Sequence, residues 1–374
     1  MREYLTVFLV AAVVTYLLGV VAREVALRTN AVARVRARDV HAVPIPYFGG
    51  VAMLGGLSAG FLVAHRLPFL SLSGHQVFHD SAVVLGGGAM ICALGVVDDL
   101  VELDALTKLG GQVLAAGFLV VNQVQYYNFA LPGHGQFILV GPQGALLSVF
   151  VVVATVNAVN FVDGLDGLAA GVVAIGAVAF FVFAYKLADV NNETLAISAA
   201  LLCAALGGAC VGFLPHNFFP ARIFMGDSGS MLIGLMLSGA AMTLTGQFAA
   251  VDMTQGAGGS QASLLPTLLP IVLPIAILIV PFVDLVLAVV RRTRAGRSPF
   301  SPDKHHLHHR LLEIGHSHRR AVLIMWLWAG LIAFGGVLAS LYAGRVTVIV
   351  LGVWVVLTVL LTFAVPRVQR PVSR

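Results

Sequence analysis

The chain has 374 residues, of which 59% are hydrophobic and 10% charged, with a formal charge of +5 and a mean hydropathy of +0.95. Soluble proteins carry roughly 25% charged residues, so a water-soluble globular fold is excluded and length gives no domain count. What remains is a polytopic membrane protein, in which an apolar layer ~30 Å thick takes about 20 residues per helix.

In chain order, apolar runs predict spans near 4–22, 47–65, 81–97, 108–124, 144–159, 168–185, 194–213, 229–246, 264–290, 322–343 and 346–365. The fold class is therefore all-α: one polytopic transmembrane bundle over residues 1–374, of about eleven helices. It has no soluble domain and carries a basic, His-rich loop at 291–321. The first run has no small-residue cleavage site and meets Arg23 directly, which reads as a retained helix rather than a signal peptide. Of the 22 Lys and Arg residues, all but Arg2, Arg66, Lys186 and Arg345 fall in alternate loops or the C-terminal tail. The positive-inside rule then puts the N-terminus outside and the C-terminus in the cytoplasm. Cys92, Cys203 and Cys210 lie inside apolar runs and read as small core residues, not a disulfide framework.

Four polar clusters interrupt this background, and all fall on the cytoplasmic side of the expected topology. Ionisable groups at the ends of apolar helices are costly, which makes them functional candidates. Asp98-Asp99 closes the third span, with Glu102 and Asp104 following. Adjacent carboxylates repel unless a cation lies between them, and hard oxygen ligands suit Mg²⁺, or Mn²⁺ in its place, bridging to phosphates. The bland alternative is a solvated acidic cap. Asn157 and Asn160 end the fifth span three residues apart, on one helix face, and Asp163-Gly and Asp166-Gly follow. Two amides and two acids in ten residues suit a nucleoside and a metal better than a simple polar turn. Phe224-Met-Gly-Asp227-Ser-Gly-Ser230 offers a ring for stacking a base, an acid for a metal, and a helix start for phosphate. Asn217 and Arg222 lie just upstream, the guanidinium matching phosphate geometry.

The fourth cluster, Asp303-Lys304-His305-His306-Leu-His308-His309-Arg310, belongs to a segment holding six of the twelve histidines. A zinc site is one reading, but structural zinc sites recruit cysteines or spaced His pairs. The cationic surroundings favour phosphate handling, with topology or lipid contact as the plainer alternative. Lys108, ten residues after Asp98, either snorkels or serves the same site. Asp284, deep in the ninth span, has no assigned role.

The order Asn157-x-x-Asn160-x-x-Asp163-Gly-x-Asp166-Gly-Leu, then Phe-Met-Gly-Asp-x-Gly-Ser, then His-x-His-His-Arg resembles the polyprenyl-phosphate N-acetylhexosamine-1-phosphate transferases, over about residues 45–322. Within that family the His-His-Leu-His-His-Arg-Leu-Leu loop and Arg222 resemble the branch using UDP-N-acetylglucosamine. The phospho-MurNAc-pentapeptide branch, the alternative, carries a His-His-His run from which this chain departs. The resemblance implies attack of a polyprenyl phosphate (undecaprenyl or decaprenyl) on UDP-GlcNAc, giving polyprenyl-diphospho-GlcNAc and UMP. It implies a multi-pass protein of the plasma membrane with its active site facing the cytoplasm and no nucleic-acid partner, and it is compatible with a homodimer. By the same resemblance Asp227 ligates Mg²⁺ with Asp98 and Asp99 close by, and Asp166 and Phe224 hold the uracil. Asn157, Asn160, Asp163 and Asn217 then line the nucleoside and metal region. Lys108, Arg222, Lys304, Arg310 and the catalytic His306, His308 and His309 neutralise phosphate charge. Where the family's acidic motif often reads Asp-Asp-x-x-Asp, position 102 here is Glu.

Two other classes fit less well. CDP-alcohol phosphotransferases carry an Asp-Gly-x-x-Ala-Arg pattern that is missing after Asp163. A secondary transporter would place its charges at midmembrane on broken helices, often within repeats.

Overall fold

The computed structural model describes residues 1–32, 44–131, 135–191, 194–245, 293–294, 311, 315–342 and 344–363. Its helices are α1 (Arg2–Arg28), α2 (Gly49–Ala64), the short α3 (Pro68–Ser71), α4 (His75–Val101), α5 (Ala105–Val121), α6 (Pro142–Val162), α7 (Leu168–Asn191), α8 (Thr194–Asn217), α9 (Gly226–Thr245), α10 (His318–Leu341) and α11 (Arg345–Phe363). Seven of them are long and apolar enough to cross a membrane by length and composition. Ten of the eleven expected spans are thus helices; the ninth, 264–290, lies outside the described residues, as do Asp284 and most of the 291–321 loop.

Sequence reading missed an antiparallel hairpin between α5 and α6, strands β1 (Asn128–Leu131) and β2 (Gly135–Ile138), paired from Asn128 opposite Ile138 to Leu131 opposite Gly135. Its signal is Pro132-Gly133 between two short runs containing aromatic and apolar residues.

The helices are apolar all round, so size rather than polarity sorts their faces. On α1, Leu5, Leu9, Val13 and Leu17 are exposed at a spacing of four, while Val7, Ala11, Thr15 and Gly19 are buried. The large stripe meets lipid and the small one meets protein, as expected where tight packing rather than water exclusion drives association. α1 packs along α2 and α8. A Cβ at Gly208 or Gly212 of α8 would come within 2.2 Å of Phe8 O or 2.1 Å of Ala12 O, so the two backbones touch. α8, 89% buried across its most apolar window, is the axis of the bundle; α11, 6% buried across its own, lies at the periphery against α10.

Contacts between helix ends orient the bundle. At one end the Glu3 carboxylate accepts from Phe69 N and Leu70 N of α3, both at 2.8 Å. At the other, Arg23 Nε at the end of α1 donates to Arg222 O at 3.3 Å. That second end holds the C-termini of α4, α6 and α8 and the N-termini of α5, α9 and α10, and the three sequence-identified polar clusters that fall among the described residues lie there.

Candidate active site

The helices continue past the last apolar residue, and this places the site on rigid turns. α4 runs through Asp98 and Asp99 to Val101 and stops at Glu102, whose φ of +54° turns the chain. Leu103 N donates to Asp98 Oδ1 at 2.8 Å, and Asp104 caps α5 by accepting from Leu106 N and Thr107 N, both at 3.0 Å. The Thr107 hydroxyl adds a bond at 2.5 Å, and these bonds hold the exposed Asp104 carboxyl below the usual carboxylate range. This tight reversal brings Lys108, in the first turns of α5, back onto Asp98.

Lys108 Nζ lies 2.6 Å from Asp98 Oδ2 and also bonds Asp227 Oδ2 in the first turn of α9. Asn160, in the last turn of α6, donates through Nδ2 to Asp227 Oδ1 at 2.6 Å and to Ser230 Oγ at 2.8 Å. Four helix ends therefore converge on one acid, Asp227, whose two oxygens are both engaged.

Asp99 has a different part. Asp227 N donates to its Oδ1 at 2.8 Å and Ser228 N to its Oδ2 at 3.3 Å, so a side chain of α4 caps α9. A carboxylate there satisfies free N–H groups and meets the positive end of the helix dipole. Gly226, at φ +69°, makes this approach: a Cβ on it would sit 2.4 Å from Asp99 Oδ2. Gly95, one turn earlier on α4, is as close, with its missing Cβ 2.3 Å from Ser228 N. Asp99 thus stands beside the expected metal region with both oxygens committed to backbone.

Asp163 ends α6 next to these groups. Desolvation in its dense surroundings, and then the charges of Asp227, Asp99 and Asp166, push its carboxyl well above the ordinary range. Its surface is nonetheless partly open to solvent. A carboxyl so placed among other acids favours any cation that enters.

The remaining expected residues serve a loop at 218–225, between α8 and α9. Asp166 Oδ2 accepts from Ala221 N at 2.9 Å. Asn217, 2% exposed, accepts from Gly167 N at 2.9 Å and donates to Ile223 O at 3.1 Å, so both ends of its amide are taken by backbone. That is the geometry of a clamp between the α6–α7 turn and the loop, in contrast to the substrate contact expected of it. The loop contains a cis Phe219–Pro220 bond. Arg319 Nε donates to Phe219 O at 3.1 Å, and His318 stacks on the Phe219 ring at 4.3 Å. Arg222 is exposed on the loop. Phe224 is half-buried, 6.5 Å from the Tyr47 ring, and its backbone joins the start of α2 through Gly49 N at 3.1 Å.

The structure thus gathers Asp98, Lys108, Asn160 and Asp227 in direct contact, with Asp99 and Asp163 beside them. Asn157 lies one turn back on α6, and its Nδ2 donates to Gln112 Oε1 at 2.6 Å. Lys304, His306, His308, His309 and Arg310 lie outside the described residues. Gln112 and Ser230 were not assigned from sequence, although each follows a site residue by one helical turn: Gln112 after Lys108, Ser230 after Asp227.

A family model for glycosyl transferase family 4 matches residues 81–245, from the second turn of α4 to the end of α9. The chain is 46% identical over 373 residues, 99% of its own length and 90% of the relative's, to a decaprenyl-phosphate N-acetylglucosaminephosphotransferase of Mycolicibacterium smegmatis. It is 28% identical over 345 residues, 91% of this chain and 84% of the relative, to an undecaprenyl-phosphate alpha-N-acetylglucosaminyl 1-phosphate transferase of Salmonella typhi. It is 32% identical over 341 residues, 85% of this chain and 92% of the relative, to a phospho-N-acetylmuramoyl-pentapeptide-transferase of Desulforudis audaxviator. Likeness of this extent, running through every helix that carries the site, places the chain in glycosyl transferase family 4.

Proposed function

We propose that the chain transfers N-acetylglucosamine 1-phosphate from UDP-GlcNAc to a polyprenyl phosphate. An oxygen of the lipid phosphate attacks the phosphorus that bears the sugar. The bond from that phosphorus to the bridging oxygen breaks, and UMP leaves with that oxygen. The observation that carries this reading is the ammonium of Lys108 held between Asp98 and Asp227 at a bundle end. Such a set handles charge rather than protons, and phosphoryl transfer asks for positioning and charge neutralisation above all. The reading is supported by the name of the relative at 46% identity, against 32% for the muramoyl-pentapeptide enzyme.

The donor set fits Mg²⁺. Among the described residues no three acidic or histidine side chains form a ready metal cage. Mg²⁺ takes one or two carboxylates and completes its shell with water and substrate phosphate, and Asp98 and Asp227 supply that pair. When bound, the ion neutralises diphosphate charge and polarises the transferring phosphorus. Asn160 fixes the rotamer of Asp227, Asp99 fixes the helix start beneath it, and Lys108 carries the mobile positive charge. Before metal binds, Asp98 is held by Leu103 N and Lys108, and Asp227 by Asn160 and Lys108. Lipid enters sideways from the bilayer and nucleotide from the cytosol, in keeping with a site at helix ends facing the cytoplasm.

The test is UMP release by purified protein with UDP-GlcNAc, a short polyprenyl phosphate and Mg²⁺, with EDTA as control. Lipid- and metal-dependent UMP is the expected result. UMP only with UDP-MurNAc-pentapeptide would move the chain to the other branch, and none with either donor would refute the reading.

A further inference from the structure

Lys108 sits in an unusual position for a group that is to meet a diphosphate. Its ammonium is spent on two carboxylates, 2.6 Å from Asp98 Oδ2 and in contact with Asp227 Oδ2, the two acids to which the proposed function assigns a divalent cation. The pair has no other cation among the described residues. Without it, Asp98 and Asp227 would face each other as like charges, with Asp99 and Asp163 adding to the repulsion. The lysine is also held in place: Asp104 caps its helix one turn before it, and the turn at Glu102 ties that cap to Asp98 through Leu103 N.

We propose that Lys108 is a placeholder cation. In the metal-free protein it bridges Asp98 and Asp227 and keeps them together; when a divalent ion binds, the ammonium leaves both and turns to the incoming phosphates. One positive charge is thus exchanged for two at the carboxylates, and the displaced charge is delivered to the substrate. A flexible four-carbon stem allows this, whereas a guanidinium fixed by its fork would be slower to give up a carboxylate pair. The inference rests on Asp98 and Asp227 being the metal ligands.

Exchange makes lysine and metal competitors, which gives a sign opposite to that of a simple supporting residue. Mn²⁺ binding to purified protein, read by loss of the free-ion EPR signal with no substrate present, tests it. Lys108→Gln should bind Mn²⁺ roughly tenfold more tightly than the parent, because a unit charge beside the site has gone. Lys108→Arg, which keeps the charge, should bind no more tightly than the parent. Equal or weaker binding by Lys108→Gln would overturn the proposal, since a residue that only braces the site would lose affinity. Asp227→Asn separates the two levels: if it binds Mn²⁺ as the parent does, the metal assignment itself falls and the exchange falls with it. Should Lys108→Gln not fold, the unmodified protein gives the answer. Acylation of Lys108 by a water-soluble amine reagent, followed by mass spectrometry, should rise several-fold on adding Mn²⁺ alone; unchanged or reduced labelling would overturn the exchange.

Discussion

Replacing Asp99 separates a capping role from a ligand role. In Asp99→Ala the N–H groups of Asp227 and Ser228 lose a charged acceptor at 2.8 and 3.3 Å. A hydrogen bond to a charged group contributes about 1.5–3 kcal/mol, and the longer contact counts for less, so the loss is about 2–4 kcal/mol. Asp99→Asn keeps one carbonyl oxygen for Asp227 N, loses the dipole term, and should cost about 1–2 kcal/mol. Thermal unfolding of the detergent-solubilised protein measures both, and Mn²⁺ titration of the same samples measures the site. Capping requires the order parent, Asn, Ala in stability, with Mn²⁺ affinity in Asp99→Asn within a few-fold of the parent. An Asp99→Asn protein as stable as the parent but without Mn²⁺ binding would show a ligand and refute the capping argument.

Burial and its acidic neighbours make the folded state hold a proton on Asp163 more tightly than the unfolded chain, whose carboxyl has the ordinary value of 3.8. Stability of the metal-free protein should therefore fall as pH rises above that value, and level off once the folded-state group ionises. Asp163→Asn should remove this slope and melt higher than the parent at neutral pH, the gain vanishing toward pH 4; parallel melting curves at every pH would contradict it. Asn217→Ala leaves a buried N–H and a buried carbonyl unpaired and should destabilise by about 2–4 kcal/mol. Unchanged melting with a tenfold higher KM for the nucleotide sugar would instead return Asn217 to the substrate. Phe224→Ala should raise KM for UDP-GlcNAc more than for the lipid phosphate, and the reverse pattern would take its ring away from the uracil.

Hydropathy made the bundle legible because each span is a long apolar run between polar or Gly- and Pro-containing turns. It placed helix ends too early: an apolar count stops at Val97 or Val159, whereas backbone hydrogen bonding carries α4 to Val101 and α6 to Val162. Those extra turns hold Asp98, Asp99 and Asn160. The convergence of Asp98, Lys108, Asn160 and Asp227 was legible as chemistry, since costly polar groups at one membrane face imply shared work. Asp99 and Asn217 were not, because their partners are backbone atoms 128 and 50 residues away, and sequence does not say which amide a side chain will meet. The hairpin escaped because its strands have four residues each, too short for periodicity to register.

The contact between α4 and α9 has a bearing on how the protein lives in different bilayers. Helices answer a thicker or thinner membrane by tilting. With Gly95 set directly against Ser228 N, and Gly50 of α2 against Gly229 N, α2, α4 and α9 must tilt together, carrying Asp98 and Asp227 as one body. α11, which among the described residues packs mainly against α10, is the helix placed to take up the mismatch. Turnover in vesicles of increasing acyl length should therefore change little while the tilt of α11 follows the thickness. A steep loss of activity with a change of only a few carbons would mean that the catalytic end flexes with the membrane.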